Sequence, residues 1–234
     1  MKLISATILF FMFTIPTTKA GDTTSVLHYL VKEPKIKSAH PPVLILLHGV
    51  GSNEEDLFSF ANHLPEKYLV ISARAPISLG GNSYAWYHLD FSTGKPVYNF
   101  KEEETSRATL IKFISQVKEK YSVDSNEMYL CGFSQGAIMS YSIALTRPDL
   151  VKGIAVMSGR LIEEIKPFIA AKDKLQKLKV FISHGTKDNV LSVQNAREAA
   201  AFLKTLNINF SYKEYPEEHT ISNEMFTDLL KWLK

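Results

Sequence analysis

Cysteine is nearly absent: Cys131 is the only one in 234 residues. A lone thiol cannot close an intramolecular disulfide, so stability has to come from the packed core. No cysteine pair exists, and no two histidines stand at helical spacing, so zinc has no ligand set. No glycine-rich run ends in Lys-Ser/Thr, and Gly49 and Gly51 do not complete a dinucleotide fingerprint. Neither a metal nor an organic cofactor is expected. Charge of one sign is lacking too. Lys and Arg are dispersed and not interleaved with aromatics in a basic run, which argues against nucleic acid as a partner.

The one long hydrophobic run lies at the start. Lys2 precedes an apolar stretch from Leu3 to Pro16, and Thr18-Lys19-Ala20 follows with small residues at −3 and −1. This is the pattern of a secretory signal peptide over residues 1–20, cleaved after Ala20. The run is shorter than the roughly 20 residues a spanning helix needs, so no stable membrane insertion is expected after cleavage. Without Lys2 and Lys19, 25 basic residues face 24 acidic ones, a net charge of +1. That balance creates no field for gathering anionic polymers. Residues 21–234 are expected to form one domain in a secreted or periplasmic setting.

What is present is an alternation of strands and helices. Val43–Leu47 is a continuous apolar run, and 68–73, 128–131 and 153–157 read as further buried strands. Such runs suit central strands of a mainly parallel sheet with helices on both faces, an α/β fold. Segment 54–63 reads as a helix capped by Ser52 or Asn53, and 102–121 as an amphipathic helix. The stretch from Arg74 to Lys101 has no clear periodicity. It carries Tyr84, Trp86, Tyr87, Phe91, Tyr98 and Phe100, and reads as an aromatic binding wall or lid.

One stretch organises the rest. The apolar run ending at Cys131 meets Gly132-Phe133-Ser134-Gln135-Gly136, and helix formers follow at once. Strand, sharp turn and helix are the setting of the nucleophile elbow of the α/β-hydrolase fold, which makes Ser134 the candidate nucleophile. A serine needs a base and an acid to orient that base. Asp188 follows the strand ending at Ser183. Among seven histidines, only His219 lies beyond both that acid and the last strand. His48 and His184 end strands and are expected to shape turns. The oxyanion donors are expected from the backbone N–H of Gln135 and from the loop His48-Gly49-Val50-Gly51, with Val50 preferred and Gly51 as alternative. Cys131, inside an apolar strand, reads as a core residue.

Leu47-His48-Gly49-Val50-Gly51-Ser52-Asn53, Gly132-Phe133-Ser134-Gln135-Gly136-Ala137, Met157-Ser158-Gly159 and His184-Gly185-Thr186-Lys187-Asp188 fall in one order. Together they resemble the phospholipase/carboxylesterase family of α/β-hydrolases, which includes acyl-protein thioesterases and bacterial carboxylesterases. The resemblance implies a cofactor-free serine esterase with Ser134, Asp188 and His219 as triad and the Val50 and Gln135 N–H groups as oxyanion hole. It also implies a substrate-side place for Trp86. Val50 stands where relatives often carry Leu, and the signal peptide sets the chain apart from intracellular members.

The expected function is therefore a serine carboxylesterase acting on a small ester through an acyl-enzyme on Ser134. A lysophospholipase or acyl thioesterase is the alternative within the class. From another class, the alternative is a non-catalytic exported binding protein on a hydrolase scaffold. Arg160, after Ser158-Gly159, is a surface residue or lines the mouth of the site.

Overall fold

The computed structural model describes residues 19–20, 25–90, 97–124 and 126–234. The expected signal peptide lies outside the described residues except for Lys19–Ala20. The strands are β1 (Lys19–Ala20), β2 (Tyr29–Lys32), β3 (Val43–Leu47), β4 (Leu69–Ala73), β5 (Ile77–Gly80), β6 (Ser83–Ala85), β7 (Leu89–Asp90), β8 (Val97–Tyr98), β9 (Met128–Phe133), β10 (Gly153–Met157), β11 (Lys179–Gly185) and β12 (Asn209–Tyr215). The α-helices are α1 (Glu54–Phe58), α2 (Phe100–Tyr121), α3 (Gln135–Thr146), α4 (Lys172–Leu175), α5 (Gln194–Thr205) and α6 (Asn223–Trp232).

Eight strands form one sheet in the order β1-β2-β4-β3-β9-β10-β11-β12. Pairing is antiparallel at β1/β2 and β2/β4 and parallel from β4 through β12. Alternate strand residues feed two cores. Val43, Ile45, Leu47 and Leu130 point to the side covered by α2, α3 and α5, while Leu44, Leu46, Tyr129 and Cys131 meet α1 and α6. Burial on both faces explains why the central strands are apolar throughout.

The parallel strands carry their carboxyl ends to one edge of the sheet, where loops collect functional groups. Asn53 caps α1 by accepting the Glu55 N–H at 2.8 Å, and Asn207 ends the turn after α5 with a φ of +56°. Two expectations change. The segment after Arg74 is not irregular: β5 pairs with β6, and β7 with β8. Gly80 and Gly81, both at positive φ, form the tip of the first hairpin. Strand β11 also runs two residues past Ser183, so His184 is a fully buried strand residue and not a turn former.

Candidate active site

Ser134 sits between β9 and α3 at φ +52° and ψ −117°, a conformation non-glycine residues rarely adopt. The elbow is tight because glycine lies on either side. A Cβ on Gly132 would press on the Gly136 carbonyl, and a Cβ on Gly136 would collide with the Leu47 carbonyl of β3. The Gly-x-Ser-x-Gly spacing is thus a packing requirement where α3 crosses the sheet. Ser134 N–H donates to Met157 O of β10 at 3.0 Å, which pins the turn to the neighbouring strand.

Asp188 and His219 arrive from the loops after β11 and β12. The Asp188 side chain is fully buried. Its Oδ1 accepts the N–H groups of Val190 (2.9 Å) and Leu191 (2.8 Å), and its Oδ2 faces His219 Nδ1 at 2.7 Å. A carboxylate can only accept, so Nδ1 carries the hydrogen and Nε2 is left to accept. His219 Nε2 lies 2.9 Å from Ser134 Oγ. The Phe133 ring packs on the imidazole with centroids 4.9 Å apart. The structure therefore brings together all three side chains singled out in the sequence. A hydroxyl held this way can pass its proton to the imidazole as it attacks.

The loop after β3 lies against Ser134: a Cβ on Gly49 would sit 3.3 Å from Ser134 Cβ. His48 is fully buried and braces this loop. Its Nδ1 donates to Gly49 O at 2.7 Å, while its Nε2 accepts the Ala75 N–H at 3.0 Å. Burial holds this imidazole below the usual histidine range, in keeping with a ring that donates on one side and accepts on the other. The oxyanion alternatives separate by their partners. Gly51 N–H is committed to Tyr84 O at 2.8 Å, whereas Val50 N–H has no acceptor among the described residues. Gln135 is the first residue of α3, so its N–H has no intrahelical acceptor.

Trp86 does not meet its expectation as a substrate contact. It is fully buried, its Nε1–H donates to His48 O at 3.0 Å, and its ring lies against His48. A large amphipathic ring in the aromatic segment signals a wall, but its one donor is used to hold the glycine loop from behind.

The phospholipase/carboxylesterase sequence profile matches residues 29–234. The chain belongs to this family. A probable carboxylesterase of Arabidopsis thaliana is 28% identical over 207 residues, covering 82% of this chain and 77% of that protein. Acyl-protein thioesterase 1 of Yarrowia lipolytica is 27% identical over 218 residues, covering 85% and 93%. The solved carboxylesterase of Mesorhizobium loti shares the fold with a TM-score of 0.79 at 19% identity, covering 92% and 98%. Both the profile and the solved structure agree with the α/β-hydrolase architecture of the sheet.

Beyond these family motifs, three contributions escape a reading by residue type. Gln135, singled out for its backbone, also uses its side chain: Oε1 accepts Trp86 N–H at 2.8 Å and Nε2 donates to Tyr87 O at 2.7 Å. The aromatic segment is thereby fastened to the residue beside Ser134. Gly185 lets the loop bearing His219 lie directly on β11, since a Cβ there would collide with the Glu217 and Glu218 carbonyls. Thr186 N–H to Tyr215 O (2.7 Å) and Lys187 N–H to Glu217 O (2.9 Å) then stitch the loop of Asp188 to the loop of His219. His184 reaches Asp188 from inside the sheet, with Nε2 at 3.2 Å from Oδ2. The His-Gly pair at a strand end was the available signal, but only three-dimensional pairing shows what it does. Among the described residues no group of three or more His, Cys, Asp or Glu side chains is disposed for a metal ion.

Proposed function

We propose that this member of the family is a serine carboxylesterase. The observation that carries the reading is the relay from Ser134 Oγ to His219 (2.9 Å) to buried Asp188 (2.7 Å) on a strained elbow. In this mechanism Ser134 Oγ attacks the ester carbonyl as His219 Nε2 takes its proton, and Asp188 stabilises the imidazolium that results. The N–H groups of Gln135 and Val50 receive the oxyanion, each worth roughly 100–1,000-fold in rate. His219 returns the proton to the leaving alcohol, and water then releases the acyl group. Cys131 is no rival nucleophile: burial pushes its thiol up to about 12, leaving on the order of one thiolate in ten thousand near pH 8.

Purified protein is expected to hydrolyse p-nitrophenyl esters and to be labelled by a fluorophosphonate probe, with both lost in Ser134→Ala. A wild-type protein that ignores ester and probe alike is a binding protein on this scaffold. Relative rates on acetyl, butyryl and palmitoyl esters separate a short-ester carboxylesterase from a lysophospholipase.

Export is part of the proposal, supported by the Leu3–Pro16 apolar run and the small residues before Gly21. Cleavage after Ala20 would remove β1 and leave β2 as the edge strand. Mass spectrometry of protein from the native host should give an N-terminus at Gly21. An intact Met1 or Lys2 terminus on folded protein would refute export.

A further inference from the structure

Five arginines occur in the chain. Arg74, Arg107, Arg147 and Arg197 each have a carboxylate within 4.0 Å. Arg160 has none among the described residues, although its Nε is buried and lacks an acceptor. Its two terminal amino groups likewise have no protein acceptor there. A guanidinium is charged at every accessible pH, and a half-buried one without an anion is costly unless something else supplies the charge. Glu164, the carboxylate one turn further on, is taken by the Tyr98 hydroxyl.

Position gives this unmatched cation a meaning. Met157 is level with Phe133 in the β9/β10 register, so Ser158 lies beside Ser134 on the neighbouring strand. Ser158 turns the chain at φ +50°, and Gly159 packs so closely on the first turn of α3 that a Cβ would lie 2.6 Å from Ala137 Cβ. Two residues past Ser158, the Arg160 backbone is within roughly 12 Å of the Ser134 backbone. The guanidinium then lies on the Tyr98 ring, 4.9 Å from its centroid. Tyr98 is 5.8 Å from Tyr87, whose carbonyl Gln135 holds beside the nucleophile. An aromatic platform orients the planar fork, whose amino groups have no acceptor among the described residues, a geometry suited to a carboxylate.

We propose that Arg160 is a specificity residue for an anionic substrate group, and that the preferred substrates are esters carrying a carboxylate a few bonds from the scissile carbonyl. This rests on the esterase reading and narrows it. The carboxylate belongs either to the acyl chain, as in a hemiester of a dicarboxylic acid, or to the alcohol.

The test compares two matched pairs. Mono-p-nitrophenyl glutarate against p-nitrophenyl valerate places the charge on the acyl side. 4-Acetoxybenzoate against 4-methylphenyl acetate, followed by pH-stat, places it on the alcohol side. For one pair, Arg160→Met is expected to lower the anionic-to-neutral ratio of kcat/KM by about tenfold or more, the scale of a lost charge-assisted hydrogen bond. Arg160→Lys, which keeps the charge but loses the fork, should lower it less, and it serves alone if the Met variant does not fold. Ratios unchanged from wild type in both pairs would overturn the proposal. Wild-type protein that hydrolyses none of the four esters would overturn the esterase reading itself, a distinct outcome.

Discussion

His184 Nε2 lies 3.2 Å from Asp188 Oδ2, the same oxygen that faces His219 Nδ1 at 2.7 Å. His184 Nε2 is also 2.7 Å from Leu191 O. A carbonyl only accepts, so Nε2 carries the hydrogen and is shared between the carbonyl and the carboxylate. One buried imidazole therefore holds both ends of the Asp188–Leu191 turn.

Removing that ring should misplace Asp188 without touching substrate. His184→Ala is expected to lower kcat on a p-nitrophenyl ester by on the order of tenfold to a hundredfold, with KM little changed. His184→Gln, which can offer an N–H to the same carbonyl, should recover part of the loss. Steady-state kinetics alongside thermal melting check this. A loss of melting temperature with kcat intact would reduce His184 to a packing residue.

The convergence of Ser134, His219 and Asp188 was legible because the chemistry of a serine nucleophile constrains both residue type and chain order. A Ser on a glycine-bounded turn, then an acid, then a His past the last strand leaves few choices among seven histidines. The central strands were legible because two-sided burial demands unbroken apolar runs, and Val43–Leu47 and Gly153–Met157 match to the residue. The hairpins after Arg74 were not. Their strands are two to four residues long, too short for alternation to stand out, and the turn of the β5/β6 pair uses Gly80-Gly81 while Ser52 bridges to Tyr84. Trp86 was misread for a related reason: residue type announces a large amphipathic ring but not which side of the glycine loop it occupies.

The strain at Ser134 gives a prediction that separates conformation from chemistry. Both Ser134→Ala and Ser134→Gly remove the proposed nucleophile, and each is expected to lose roughly a million-fold in kcat. They should differ in stability. A non-glycine residue at φ +52° costs about 1–3 kcal/mol, while glycine costs about 0.4–1 kcal/mol through the unfolded chain. The Gly variant is thus expected to be about 1–2 kcal/mol more stable than the Ala variant in urea unfolding. Equal stabilities would mean that the elbow is relaxed in solution.

Gln135 offers a test of the aromatic segment by introducing a charge. Its Oε1 accepts Trp86 N–H and its Nε2 donates to Tyr87 O, both buried. Gln135→Glu keeps the acceptor but sets a carboxylate oxygen against a carbonyl, leaving a buried acceptor unpaired at a cost of about 1–3 kcal/mol. Gln135→Ala loses both bonds but introduces no repulsion and leaves space that water can enter. The Glu variant is therefore expected to melt lower than the Ala variant at pH 8, with the gap narrowing at acidic pH as the carboxyl takes up a proton. A higher melting point for Glu at pH 8 would show that the clamp contributes little.

Glu103 supplies the pH dependence of stability. It is fully buried in the first turn of α2, and neither carboxylate oxygen has a hydrogen bond of good geometry. Burial pushes its carboxyl above the ordinary value of 4.5, and Ser142 and Arg107, the latter at 3.6 Å, offset only part of that push. A carboxyl raised on folding binds its proton more tightly in the folded chain. Its contribution is then most favourable below the unfolded value and declines as pH rises from there through the folded value. Glu103→Gln stays neutral at every pH and escapes the decline, and Arg107 keeps Glu104 at 3.9 Å as a partner. The melting temperature of the variant relative to wild type should therefore rise between pH 4 and pH 8. A difference independent of pH would mean that Glu103 titrates alike in the folded and unfolded chain, and one that falls with pH would mean that Arg107 outweighs burial.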